Sequence, residues 1–204
     1  MKIEVSNLGK RFNREWIFKN LNFQFTKNTY AVIGPNGSGK STLLQILWGQ
    51  MLPSKGEITY WYGQQIIPAD EVYPHVSIAT PYLELIDEFT LTEMVDFHFH
   101  FKKPGQGKST AELIELFELT HARDKVISNF SSGMRQRLKL GLAFYSDVSA
   151  IFLDEPTTNL DKKAIDWYRQ HLAAIPAETM VIIASNQEHE YPGTAIKLDI
   201  LNYK

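Results

Sequence analysis

The run GPNGSGKST, from Gly34 to Thr42, constrains this chain more than any other segment. It follows a short β-rich stretch, Thr29 to Ile33. It precedes Leu43, Leu44, Ile46 and Leu47, whose spacing predicts a helix. Strand, glycine loop and helix in that order form the setting in which backbone N–H groups cradle phosphate. Gly34, Gly37 and Gly39 allow the backbone conformations that such wrapping needs, and Pro35, Asn36 and Ser38 complete the loop. The positive end of the following helix points at the same place. Lys40 can reach β- and γ-phosphates, Ser41 can offer a hydroxyl to Mg²⁺, and Thr42 can bond an α-phosphate oxygen.

A second signal is IFLDEPTTNLD. The apolar run Ala150 to Leu153 reads as a buried strand, and such a strand delivers its last side chains to the sheet edge where nucleotides bind. Asp154 is placed to hold Mg²⁺ through its water shell. Glu155, on the other side of the pleat, is placed to polarise a water for attack on a γ-phosphate. A positioned base of this kind contributes roughly 10²–10⁴ in rate.

Around these motifs the first third reads as strands. Ile3 to Leu8 and Leu21 to Phe25 alternate apolar and polar residues, and GEITYWYG follows a turn at Pro53 and Ser54. Val76 to Ala79 is a further strand that stops at Pro81. Thr90 and Glu93 have capping-box spacing and open a helical region. Helices are expected over Ser109 to Leu119, from a cap at Ser131 or Ser132 to about Tyr145, and over Ala164 to Ala174. Met180 to Ala184 and Ala195 to Leu201 return to strand. The expected architecture is an α/β core at about 1–82 and 147–204 carrying a helical insertion at about 83–146.

Composition narrows the partners. The chain has 204 residues, enough for a substantial core, and a net charge of −2, so no nucleic acid is expected. It has no cysteine, which removes disulfides, thiolate metal sites and cysteine nucleophiles and suits a reducing cytosol. MKIEVSNLGK lacks the apolar run of a signal peptide, and no segment approaches the roughly 20 apolar residues that span a bilayer. Any membrane process is expected to be served from outside the lipid.

With its two motifs in place the chain resembles, nearly end to end, the ATP-binding domain of ABC (ATP-binding cassette) proteins. GPNGSGKST matches the family's phosphate loop, FSSGMRQRLKLGLA its signature segment and following helix, IFLDEP its Walker B strand, and TNLD, Thr158 to Asp161, its D-loop. The resemblance implies a P-loop NTPase core, a mixed sheet with an N-terminal antiparallel part, carrying an inserted α-helical subdomain. It implies ATP and Mg²⁺ as ligands, with Phe12 stacking on adenine. It also implies that two domains pair head to tail, through a second copy or a homologous cassette. Ser131, Gly133 and Asp161 of one chain then close over ATP held by the other. On spacing alone FSSGMRQRL reads only as a capped, exposed amphipathic helix with a basic face.

Three departures from the family pattern stand out. The signature commonly reads LSGGQ, but here Ser132 replaces the middle glycine and Met134 the glutamine. Thr80-Pro81 stands where a metal-reaching glutamine is usual, leaving Thr80 a shorter reach to Mg²⁺. Asn186 stands where a histidine usually faces the γ-phosphate; it keeps an N–H donor on a shorter side chain. A wholly lost transition-state donor costs roughly 10²–10³ in rate. His189 reads as a solvated loop residue. The FHFHF run, Phe97 to Phe101, reads as core or partner-facing surface, since His98 and His100 diverge on a helix.

These readings converge on an ATPase with Glu155, Lys40 and Asn186 as its catalytic residues. It is expected to drive export through separate transmembrane subunits, peripheral on the cytoplasmic face of the membrane. Tyr82, Leu85 and Phe89 are candidate anchors for those subunits. The rivals are an ATP-binding regulatory subunit with little hydrolysis and an ATPase of soluble machinery; a kinase is disfavoured because nothing presents an acceptor.

Overall fold

The computed structural model describes residues 1–204. The chain separates into two compact units. The first is Met1–Val76 with Ser149–Glu155 and Pro176–Lys204; the second is Ser77–Val148 with Pro156–Ile175. The insertion expected at about 83–146 lies within the second unit, which also takes 77–82, 147–148 and 156–175.

In the first unit an antiparallel sheet runs β2-β1-β4-β5, with β1 Lys2–Phe12, β2 Glu15–Phe25, β4 Lys55–Tyr62 and β5 Gln65–Ile67. β1 and β2 are longer than their alternating stretches. The register slips between Val5 and Leu8, and Asn7 and Asn20 adopt positive φ of 52° and 57°. Such bulges reset which face a side chain takes, so strict alternation survives only on either side of them. Gly56 fits against the bulge: a Cβ there would lie 2.4 Å from the Asn7 carbonyl oxygen.

The unit's other layer is parallel. β3 (Thr29–Ile33) lies between β8 (Met180–Ala184) and β9 (Ile196–Asp199), and β7 (Ala150–Asp154) pairs with β8 on its far side. Val76 opens a short outer strand, β6 (Val76–Ala79). Every residue of β7 and β8 is buried, as expected of parallel strands covered on both faces. Helix α1 (Lys40–Leu47) covers one face with Leu43, Leu44 and Leu47, and Trp48 meets Phe152 edge-on at 5.7 Å. β9 ends at Asp199, whose carboxylate accepts from the Leu201 N–H and turns the chain into a 3₁₀ turn at Ile200–Tyr203, short of the strand end expected at Leu201.

The second unit is helical: α2 Leu91–Phe101, α3 Thr110–Leu116, α4 Ser132–Phe144 and α5 Lys162–Ala173. Each start has a side-chain cap. Thr90 with Glu93 and Ser109 with Glu112 form reciprocal capping boxes, Ser131 caps α4, and Asp161 caps α5. α3 stops at Leu116, short of the expected Leu119, because Glu118 turns left-handed at φ 55°. Leu91, Val95, Leu113, Phe117, Ile127, Leu138 and Leu142 form the core. Gly141 admits the Phe117 ring there; a Cβ on it would lie 2.5 Å from a ring carbon.

Candidate functional site

The first unit holds the phosphate loop between β3 and α1, as the sequence predicts. Gly37 and Gly39 sit at φ 76° and 106°, conformations that favour glycine. A Cβ on Gly39 would also strike Ile17 Cγ2 at 2.4 Å. Gly39 is the N-cap of α1 and offers no side chain to the helix end, so the first N–H groups of α1 stay open to an anion. Lys40 is buried, and its ammonium donates to the carbonyls of Gly34 at 2.9 Å and Pro35 at 3.2 Å. The Ser38 hydroxyl is buried with no hydrogen-bond partner. Thr42 lies in the first turn of α1.

Asp154 ends β7 and is 2% exposed, with its Oδ1 lacking any hydrogen-bond partner. Burial raises its carboxyl to about 6, against the lowering effect of the Ser41 hydroxyl that bonds it. Glu155 adds to the rise, Lys40 opposes it, and Glu190 raises it further. An orphaned buried carboxylate oxygen beside a serine hydroxyl is the donor chemistry a hard cation takes, so the residues present fit Mg²⁺.

Glu155 is not placed by simple pleat alternation. It lies one residue past β7, with φ 44°, and its N–H donates to the Ala184 carbonyl at 3.0 Å. A left-handed glutamate next to a buried aspartate is local strain at a candidate catalytic position.

Asn186 donates from Nδ2 to Asn36 Oδ1 at 2.9 Å, so the position usually held by histidine touches the phosphate loop. Its loop is held by groups the sequence reading missed. Ser185 and Glu190 are fully buried and hydrogen-bonded to each other, and the Gln187 N–H donates to Ser185 Oγ at 2.8 Å. In the sequence Glu190 shares the loop NQEHEY with Glu188, and nothing there singles out the buried one. His189 is half-buried in a 3₁₀ turn rather than solvated. Phe12 is 46% exposed at the end of β1, with the Lys10 ammonium 5.2 Å above its ring.

The second unit brings Ser131, Gly133, Asn159 and Asp161 around one cleft of about 640 Å³. Ser131 Oγ accepts from the Met134 N–H at 3.2 Å and so occupies the cap of α4; Ser132 is the first helical residue. Gly133 approaches the D-loop closely: a Cβ there would lie 3.0 Å from the Asn159 carbonyl oxygen, a tight contact. Asp161 spends one carboxylate oxygen on the Ala164 N–H at 2.8 Å, a capping role the sequence reading did not assign. Arg137 and Lys163 line the same cleft and both reach Glu118, at 2.7 and 3.5 Å. Thr80 is buried in this unit just past β6, and its carbonyl accepts from the Lys139 ammonium. His98 bonds Ser146 Oγ at 2.9 Å, and burial together with the Lys102 charge lowers it to about 4. No group of three His, Cys, Asp or Glu side chains gathers at His98 and His100, and Phe97 and Phe101 remain exposed.

A family model described as ABC transporter matches residues 18–158. The ABC transporter ATP-binding protein YybJ of Bacillus subtilis is 28% identical over 92% of this chain and 86% of its own length. The sulfate/thiosulfate import ATP-binding protein CysA of Pseudomonas aeruginosa is 30% identical over 92% of this chain. The Nod factor export ATP-binding protein I of Burkholderia orbicola is 30% identical over 88%. The chain spans about 60% of the length of the importer and 61% of the exporter protein. Among solved structures, an ABC transporter ATP-binding protein from Pyrococcus furiosus superposes with a TM-score of 0.80 at 19% identity, covering 100% of this chain and 99% of that one. A dimeric post-hydrolysis state of the cassette MJ0796 bound to ADP and Pi does so with 0.77 at 23%, covering 91% and 88%. Both show the shared fold.

Proposed function

The chain belongs to the ABC transporter family, and on that premise we propose that it binds and hydrolyses MgATP as the nucleotide-binding subunit of a transporter. Two chains act as a pair on the cytoplasmic face of the membrane, beneath separate transmembrane subunits. No helix of this chain is long and apolar enough to cross a membrane itself. The observation that carries the reading is Asp154, a buried carboxylate with an unpartnered oxygen, hydrogen-bonded to the hydroxyl of Ser41 in the phosphate loop.

Each residue then has a role. The N–H groups of the loop and of α1 hold the phosphates, and Lys40 exchanges its carbonyl partners for β- and γ-phosphate oxygens. Mg²⁺, when bound by Ser41 and Asp154, would offset the phosphate charge. Glu155 accepts a proton from water as its oxygen bonds the γ-phosphorus, and the bond to the β-phosphate oxygen breaks to release ADP and phosphate. Asn186 turns its amide from Asn36 towards the γ-phosphate. Phe12 stacks on adenine. Ser131 and the Gly133 N–H supply, from the second chain, the donors that complete the site.

The MJ0796 cassette, solved as a dimer, supports pairing. An importer and an exporter protein are equally similar at 30%, so the export direction expected from the sequence draws no support from them. The test is Glu155→Gln, which keeps ATP bound and uncleaved. Scattering at saturating MgATP is expected to report a dimer for this variant. A monomer under those conditions, or wild-type protein that releases no phosphate even with its membrane partner, refutes the reading.

A further inference from the structure

Helix α4 buries one charged side chain that its apolar surroundings do not explain. In RLKLGLA, Lys139 stands between Leu138 and Leu140, both fully buried, and is itself only 9% exposed. A buried ammonium needs acceptors. It finds two backbone carbonyls, Thr80 at 3.2 Å and Pro81 at 3.0 Å. One turn earlier Arg135 reaches the Asp87 carboxylate at 2.6 Å. The chain leading into α4 is tied to the same segment through its backbone: the Ile127 N–H donates to Phe89 O at 2.8 Å and the Ser128 N–H to Asp87 O at 2.9 Å. The segment from Thr80 to Phe89 is therefore held at both ends by α4 and its approach, all within the second unit. Between the ends Leu85 enters the helical core, while Tyr82 is 77% and Leu83 38% exposed.

The ties differ in weight. Asp87 is half-exposed, so its ion pair with Arg135 is screened by solvent and contributes little. Lys139 is shielded, and its charge-assisted bonds are the stronger kind. Thr80 O also accepts the Leu83 N–H at 3.3 Å, so the ammonium fixes the carbonyl on which the next turn is built.

We propose that Lys139 is a positioning residue that makes the segment Thr80–Asp87 a rigid extension of α4. When the serine-capped end of α4 engages the nucleotide of a second chain, the segment moves with it, carrying Thr80 and the exposed pair Tyr82–Leu83. The inference rests on the proposed function for its consequence and on the second unit alone for its geometry.

The test uses the full chain with Lys139→Met, which keeps the side chain's length and apolar stem and removes its donors. Hydrogen exchange without nucleotide is expected to accelerate at Leu83 and its neighbours by about tenfold to a hundredfold, the loss that charged hydrogen bonds imply. In steady-state hydrolysis kcat is expected to fall about tenfold while the KM for ATP stays within about twofold, because the phosphate loop is untouched. Lys139→Arg, which keeps the charge and donors, is expected to recover much of both. Lys139→Gln, which keeps one donor group, serves if the methionine variant does not fold. Exchange at Leu83 equal to wild type overturns the proposal, as does faster exchange with unchanged kcat. A wild-type chain without ATPase activity refutes the proposed function instead, and the nucleotide-free exchange then decides the lysine's role by itself.

Discussion

Replacing Asp154 with asparagine is expected to make the metal-free, nucleotide-free protein more stable while abolishing its ATPase. The carboxyl is buried with one oxygen unpartnered, and its proton is held up to about 6 against an ordinary 3.8. A raised carboxyl means that the folded state binds the proton more tightly than the unfolded chain does. Both are protonated below the unfolded value, so there the group contributes no difference. As pH rises from 3.8 to about 6 the unfolded chain ionises first, and the fold loses stability until, above about 6, the loss is complete. That interval corresponds to about 3 kcal/mol. Asn carries no charge to desolvate, so Asp154→Asn is expected to gain up to about 3 kcal/mol at about pH 7.5 and only about 1 kcal/mol at about pH 4.5. Urea unfolding of both proteins in chelator at the two pH values measures this. A variant less stable than wild type at the higher pH, or equally shifted at both, refutes the claim that the aspartate is held ready for a cation at a cost to the fold.

His98 has the opposite sign. Its folded value of about 4 lies below the ordinary 6.5, so stability falls as pH drops through that range; His98→Gln is expected to remove up to about 2.5 kcal/mol of loss at about pH 4.5 in the same titration. Ser131→Ala deletes the cap of α4 and is expected to cost about 1 kcal/mol in urea unfolding. Gly39→Ala puts a Cβ against Ile17 at φ 106°, and calorimetry with ATP is expected to show binding lost or weakened at least about tenfold. Gly141→Ala forces the Phe117 ring to move and is expected to cost about 1–3 kcal/mol without altering the KM for ATP.

What could be read from the sequence was chemistry carried by contiguous residues. Gly34 to Thr42 works through its own backbone, so its conformation is written in the order of its glycines. Thr90 with Glu93 and Ser131 with Met134 cap their helices through neighbours three residues away, which spacing reveals. The rest depended on where the backbone leaves its ideal path or on partners far along the chain. Bulges at Asn7 and Asn20 hid the length of β1 and β2, and the left-handed turn at Glu155 overrode the pleat. Lys139 carries no local mark of its burial, because its acceptors, the Thr80 and Pro81 carbonyls, lie 59 and 58 residues earlier. Asp161 was read as a nucleotide contact, and the Ala164 N–H it caps shows a local duty that the motif match does not specify.

The central claim is that each nucleotide is enclosed by two chains, one giving Lys40 and the other Ser131. Lys40→Ala and Ser131→Ala should each be inactive alone. Mixed in equal amounts, half of the dimers formed are heterodimers with one intact site, so hydrolysis should return to about a quarter of wild type. A mixture as inactive as its two components, with dimers still formed, contradicts the claim.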